Sequence, residues 1–349
     1  MGRIGVGRAG IAMASVLAIS GCLPWQSDGV ENVAAPRENP AVAKQKARQA
    51  ATAAAASAKA NELGQIPVLM YHRVVKDATG PDDLTPQQFR AELERLVAED
   101  YVPITAREYV TGKIGIPAGK HPVVLTFDDS SPSQLALDGM GTPNPDTAVG
   151  IMLDVARRHP EFRPVGTFYV TRDLFGLSVP EEQVQILRWL QDHGFDIGNH
   201  TFDHLNLRGR DKKAVYNEIV AGHRLITNLI STAPASLALP YGNQPTTKEW
   251  AKRGSAEGVR YDYGGVFLAG YTPGPSPFAK EFDPLGIPRI RSHEKTGDCK
   301  RFCSVAWLDY FKANPDKRYT SDGNVATVAY PKFKEPFAAK AFSRYALAY

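Results

Sequence analysis

The sequence predicts an α/β fold in which repeated β-then-α units build a barrel. Three observations carry that expectation. From residue 65 onward, short β-prone apolar runs alternate with segments of helical periodicity. Several of the runs end in polar or charged residues, Asp128-Asp129 and His200 among them, as strands do at the C-terminal rim of a barrel. The chain has 349 residues, 43% hydrophobic and 22% charged, which is ample for a buried core.

The N-terminal segment stands outside that pattern. Arg3 and Arg8 precede an apolar run over residues 11–19, too short to span a membrane comfortably, and Ser20 and Gly21 follow it. A basic start, a short apolar stretch and small residues describe an export signal. The tetrad Ile19-Ser20-Gly21-Cys22 resembles the lipobox of bacterial lipoproteins, which implies cleavage after residue 21 and lipid on Cys22. Residues 23–64 carry few large apolar side chains, so they read as a tether with at most a transient helix over 41–60. The expected product is exported and held by lipid at the outer face of a bacterial membrane. The formal charge of +4 includes no dense basic block, which argues against nucleic acid as a partner. A monomer is expected.

The folded part is expected over 65–349. Residues 66–71 read as a strand. Thr85, Pro86 and Gln88 form a capping box before a helix whose Phe89, Leu93, Leu96 and Val97 face the core. Residues 123–127 and 166–170 are β-prone, and the connection 130–164 between them is long. Its second half, 146–159, reads as a helix capped by Asp146. A helix opens at Pro180 and ends before Gly194, a strand covers 195–198, and a long helix covers 211–230. Later strands are expected at 237–240, 261–268 and 287–290. A helix near Trp307 and Phe311 and a strand at 325–329 complete the tail. Cys299 and Cys303 are close enough in sequence for a local disulfide in an oxidising compartment, and a weaker metal reading would group them with His293. Trp189, Trp250 and Trp307 are available to stack on sugar rings or to fill core space.

Two constellations carry chemistry. The run Val123-Val124-Leu125-Thr126-Phe127 leads straight into Asp128-Asp129, and adjacent carboxylates at the end of a buried strand need a compensating cation. His200-Thr201-Phe202-Asp203-His204 also ends a strand, and two imidazoles four residues apart converge on one ion if the segment turns. Two His and one carboxylate leave coordination positions open for water and substrate.

With Thr126-Phe127-Asp128-Asp129 and His200-Thr201-Phe202-Asp203-His204, residues 65–295 resemble the polysaccharide deacetylases of the NodB-homology type. Leu69-Met70-Tyr71-His72 resembles the opening strand of the exported branch, and Leu239-Pro240-Tyr241-Gly242 the end of the third motif. The resemblance implies a distorted (β/α) barrel of about seven parallel strands. It implies a divalent metal, zinc first with cobalt, nickel or manganese acceptable, held by Asp129, His200 and His204. It further implies Asp128 as general base, the Tyr241 N–H as oxyanion donor and His293 as general acid, acting on an acetylated polysaccharide. The family's third-motif Arg is missing here, its place taken by Ala238, and Arg289 is the candidate substitute. Ala238 also keeps open a catalytically inactive carbohydrate-binding lipoprotein. His72 reads equally as a rim residue or a buried structural imidazole.

Overall fold

The structure, a computed structural model, describes residues 39–349. The expected leader with Cys22, and the first part of the expected tether, lie outside the described residues. The chain separates into two units, Met1–Lys44 and Gln45–Tyr349, and the architecture below is that of the second.

In chain order come α1 (Pro40–Ser57), β1 (Val68–Tyr71), the short β2 (Arg73–Val74) and β3 (Asp83–Leu84), α2 (Pro86–Ala98), β4 (Tyr101–Ile104), α3 (Ala106–Thr111) and β5 (His121–Asp128). There follow α4 (Ala148–Arg158), β6 (Thr167–Val170), α5 (Pro180–Asp192), β7 (Asp196–Asn199), α6 (Lys212–Ile230) and β8 (Ser236–Ala238). Then come α7 (Glu249–Lys252), β9 (Arg253–Ala256), β10 (Val259–Asp262), β11 (Gly265–Phe267) and β12 (Ile290–Arg291). The tail adds α8 (Cys299–Phe302), α9 (Ser304–Ala313), β13 (Val328–Tyr330) and β14 (Ala346–Ala348).

The main sheet runs β11-β8-β7-β6-β5-β1-β12, with β4 paired to the first half of β5. Every pairing in it is parallel. One short segment ties its two edges: Ile287 bridges Phe267 of β11, and Ile290 pairs with Leu69 of β1. The curled sheet is thereby the expected distorted barrel. All eight residues of β5 are buried, as in a parallel strand covered on both faces. Phe127 stacks between Tyr71 at 5.2 Å and Phe168 at 4.7 Å, so the ends of β1, β5 and β6 rest on one aromatic layer. That layer sits beneath the residues at the C-terminal rim.

Local chemistry explains most boundaries. The Thr85–Gln88 capping box opens α2 as expected. A second one, Thr105 with Glu108, opens α3, a helix the sequence reading passed over. The helix expected over 146–159 begins instead at Ala148, because Thr147 rather than Asp146 accepts the Gly150 N–H at 3.2 Å. The strand expected over 261–268 divides into β10, antiparallel to β9, and β11 in the main sheet. The tail strand falls at β13 and pairs in parallel with β14. Cys299 and Cys303 form the local disulfide.

The tether reading is corrected within the described residues. Residues 40–57 are helical, and Ala55 and Ala60 are buried against Ala329 and Leu347. Leu63 joins the core, while Asn61 bridges Thr320 of the tail. Small alanine side chains pack closely against a partner, a contribution that composition does not register. Within this seam Glu62 is 3% exposed, accepting from Tyr319 Oη–H at 3.0 Å and from the Ala329 N–H at 2.8 Å. Burial, with Asp322 nearby, pushes its carboxyl from the ordinary 4.5 up to about 8. A carboxyl raised on folding stabilises the fold fully below its unfolded value, and that contribution is lost as pH climbs through the folded value. Between pH 5 and 8 the unfolding free energy of the protein should therefore fall, and Glu62→Gln should flatten that slope. Urea titrations across this range check it, and an unchanged slope in the variant would contradict the assignment.

Candidate active site

The site occupies the C-terminal ends of β5, β7 and β8. Asp128 is the last residue of β5, and Asp129 and Ser130 turn away from it with φ of +73° and +47°. Thr201, His204 and Tyr241 likewise have φ of +66°, +53° and +59°. Such left-handed backbone is rare in non-glycine residues and persists only where its surroundings over-determine it. The turn after β5 sends the two adjacent carboxylates in different directions.

Asp129 joins His200 and His204. Both Nε2 atoms lie 3.3 Å from Asp129 Oδ1, and one ligand atom from each residue falls within 4.8 Å of the others. Asp129 Oδ1 is buried and accepts no hydrogen bond. His200 Nδ1 faces the Ala238 carbonyl at 2.8 Å. A carbonyl only accepts, so Nδ1 carries the proton and Nε2 directs its lone pair into the cluster. Burial alone would lower His200, yet Asp128 and Asp129 outweigh it and hold the imidazole above its ordinary value. The cluster attracts positive charge, and its N,N,O donor set suits a divalent cation. Among the described residues no other trio of His, Cys, Asp or Glu converges in this way. A cavity of about 750 Å³ around His121, Arg318 and Tyr330 is lined by none of these residues.

Asp128 turns inward and meets Arg289, which is fully buried. The guanidinium donates from both terminal nitrogens, to Oδ1 and Oδ2 at 2.7 Å each. Its Nε–H goes to the Leu268 carbonyl at 2.8 Å, and the first terminal nitrogen also reaches Thr126 Oγ1 at 3.1 Å. Burial alone would push the Asp128 carboxyl up, but the charges of Arg289 and then His200 hold it well below the usual carboxylate range. Arg289 thus supplies Asp128 with the cation that the motif position, Ala238, does not provide.

The structure settles the two readings of His72 in favour of the rim: its Nε2 lies 4.0 Å from Asp128 Oδ2 and its side chain is 23% exposed. His293 is corrected. β12 is only two residues long, so the chain leaves the sheet after the Ser292 N–H bonds the Met70 carbonyl. The His293 N–H then donates to Ser304 Oγ at 3.1 Å, and its ring faces the Glu294 carbonyl. None of these contacts reaches Asp128 or the cluster. Tyr241 lies at the rim, 64% exposed, with its ring 4.7 Å from that of His204. Gln134 went unnoticed in the sequence. It is fully buried, and its amide donates to the carbonyls of His72 at 2.7 Å and Asp128 at 2.5 Å, clamping the two rim strands together. Its place in the long 130–164 connection gave no motif signal. Trp189 and Trp250 pack against core clusters.

Residues 115–256, which carry Asp128, Asp129, His200, His204 and Tyr241, match the polysaccharide deacetylase family. Over that stretch the chain is similar to polysaccharide deacetylases, in line with the NodB-type motifs it holds. A Bacillus subtilis protein named for the same class, YxkH, is 24% identical over 215 residues, covering 59% of this chain and 68% of YxkH. The peptidoglycan-N-acetylglucosamine deacetylase of Bacillus cereus is 26% identical over 157 residues, 45% of this chain and 50% of the relative. A solved polysaccharide deacetylase from Bacillus cereus superposes with a TM-score of 0.52 at 17% identity, over 70% of this chain and 68% of that one. That last likeness speaks for the fold. His72 and Arg289 both lie outside the matched stretch.

Two expectations follow for this site. Arg289→Met leaves the Asp128 charge buried without a partner, which should cost about 3–5 kcal/mol of stability in urea denaturation; a loss under ~1 kcal/mol would mean the pair carries little. Calorimetric titration of chelator-stripped protein with Zn²⁺ should show one ion per chain. His204→Ala should weaken that binding by more than the roughly 10–100-fold typical of outer-shell partners.

Proposed function

We propose that this chain is a metal-dependent hydrolase that removes acetyl groups from an acetylated polysaccharide. The observation that carries the reading is the side-by-side arrangement of an ionised, Arg-paired Asp128 and the Asp129–His200–His204 cluster. A divalent cation held there would polarise an acetyl carbonyl and make water more acidic. Asp128 Oδ2 faces the cluster, 3.7 Å from His200 Nε2, and takes the proton from the attacking water. The Tyr241 N–H, in the turn that follows β8, stabilises the oxyanion. The carbonyl carbon gains the water oxygen and loses the amine or alcohol. His72 Nε2 supplies the proton that this leaving group needs, the part first expected of His293. Acetate and the deacetylated sugar are the products.

Ala238 was the feature favouring an inactive carbohydrate binder, and Arg289 fills the role that Ala238 left open. The likeness to the Bacillus cereus peptidoglycan-N-acetylglucosamine deacetylase favours an N-acetylhexosamine polymer as substrate. Zinc is the first candidate for the ion. Export and lipid attachment at Cys22, with a monomeric protein at the outer face of the membrane, belong to the proposal and rest on residues 1–22 and composition.

Acetate release from acetylated glycans in the presence of Zn²⁺ or Co²⁺ tests the reading. Asp128→Asn should lower kcat by about 10²–10⁴-fold, with His72→Ala in the same range and His293→Ala near the unaltered enzyme. Glycan binding with no release by the unaltered protein on any substrate would instead support the inactive binder.

A further inference from the structure

An aromatic patch stands on the surface beside the barrel closure. Tyr271, Phe302 and Tyr310 are 59%, 44% and 39% exposed, and Trp307 between them is half-buried. The Tyr271 and Phe302 ring centroids are 5.9 Å apart, and those of Trp307 and Tyr310 5.4 Å. The rings are fixed in place: Trp307 Nε1–H donates to the Tyr271 carbonyl at 2.8 Å, and the Cys299–Cys303 disulfide brackets Phe302. Exposed apolar surface clustered in this way marks a contact site more often than an accident.

Both walls of the patch continue from the strands that flank Arg289, the partner of Asp128. Tyr271 lies just beyond β11, past Leu268, whose carbonyl accepts from Arg289. Its backbone bridges Ile290 of β12, the strand that leads on into α8 and α9. Ile290 pairs with Leu69, three residues before His72, which sets the Tyr271 backbone about 10 Å below the rim at the rise of a strand. A glycan of several units anchored at Asp128 and Asp129 is longer than that offset along the strand axis.

We propose that Tyr271, Phe302, Trp307 and Tyr310 form a stacking platform for a glycan chain of N-acetylhexosamine units whose reacting unit sits at the metal cluster. The inference rests on the deacetylase reading above and extends it to a polymer subsite. Flat rings offer π faces to the apolar C–H faces of pyranose rings, and the tyrosine hydroxyls suit their polar edges. Such a subsite strengthens the grip on long chains and does nothing for short ones.

The test compares a disaccharide with a hexasaccharide of N-acetylglucosamine, by calorimetric binding and by acetate release. In the double variant Tyr271→Ala/Tyr310→Ala, hexasaccharide Kd and KM should both rise about tenfold, with kcat held and the disaccharide KM shifted less than about twofold. Tyr271→Phe/Tyr310→Phe, which keeps the rings, should restore hexasaccharide affinity, and thermal midpoints report whether each variant is folded. Equal shifts for both substrates, or none, overturn the platform. So does failure of the unaltered protein to bind the hexasaccharide, or loss in the alanine variant of binding to anionic lipid vesicles with glycan binding intact. Because binding is read apart from turnover, hexasaccharide binding that needs the rings without acetate release would sink the deacetylase reading alone. Release with ring-independent binding would sink the platform alone.

Discussion

The buried pair between Arg289 and Asp128 is the constraint around which the rest of the site is arranged. Taking two charges out of water is costly, and the attraction compensates only when the geometry is good and the remaining donors are satisfied. Here four hydrogen bonds meet that condition, two of them parallel to one carboxylate and the others to Leu268 and Thr126. Arg289 also lies in the segment that ties β11 to β1, between the bridge at Ile287 and the pairing at Ile290. Barrel closure and neutralisation of the buried carboxylate are therefore one event. A chain that failed to close would strand a charge in the core.

The pairing determines what each of the two adjacent carboxylates can do. Asp128 is held ionised, and the same attraction that holds it so makes it a weak base. As the proposed base it would take a proton only from a water whose acidity had been raised, which a divalent cation in the neighbouring cluster would do. Asp129, swung away by a left-handed turn, keeps Oδ1 free of hydrogen bonds and open to an ion. The division of labour comes from backbone geometry at one strand end, because the two residues are chemically identical. His200 connects the halves: its Nδ1 is fixed by Ala238 and its Nε2 lies within 4 Å of both carboxylates.

What the sequence made legible was whatever sat on a strand end with a distinctive neighbour. Asp128, Asp129, His200, His204 and Tyr241 all lie in short runs where residue type and position coincide, and the structure brings them to one rim. Arg289 could be singled out because a missing cation left a defined vacancy for a basic residue on a late strand. His293 misled, since position in the chain says nothing of how soon a two-residue strand releases its chain. Gln134 was silent because an amide that clamps two carbonyls uses no motif, only the accident of tertiary proximity. The seam around Ala55, Ala60 and Glu62 was hidden for a related reason: alanine-rich, polar sequence reads as solvated until a tail 260 residues away covers it, as Asp322 and Ala329 do for Glu62.

The extent of the family match has a physical consequence. Residues 115–256 include β5 through β9, hence Asp129, His200, His204 and Tyr241, while β1 and β12 fall outside them. Those two strands bring His72 and Arg289, the imidazole beside Asp128 and the cation that keeps it charged. Without them Asp128 would sit in a low-dielectric environment with His200 as its nearest positive group, and its carboxyl would rise toward the neutral form. A neutral Asp128 could not receive a proton, whatever the cluster held. On the proposed reading, the matched stretch supplies the residues that would hold a metal, and the flanking strands those that would keep Asp128 able to take a proton; that reading requires both.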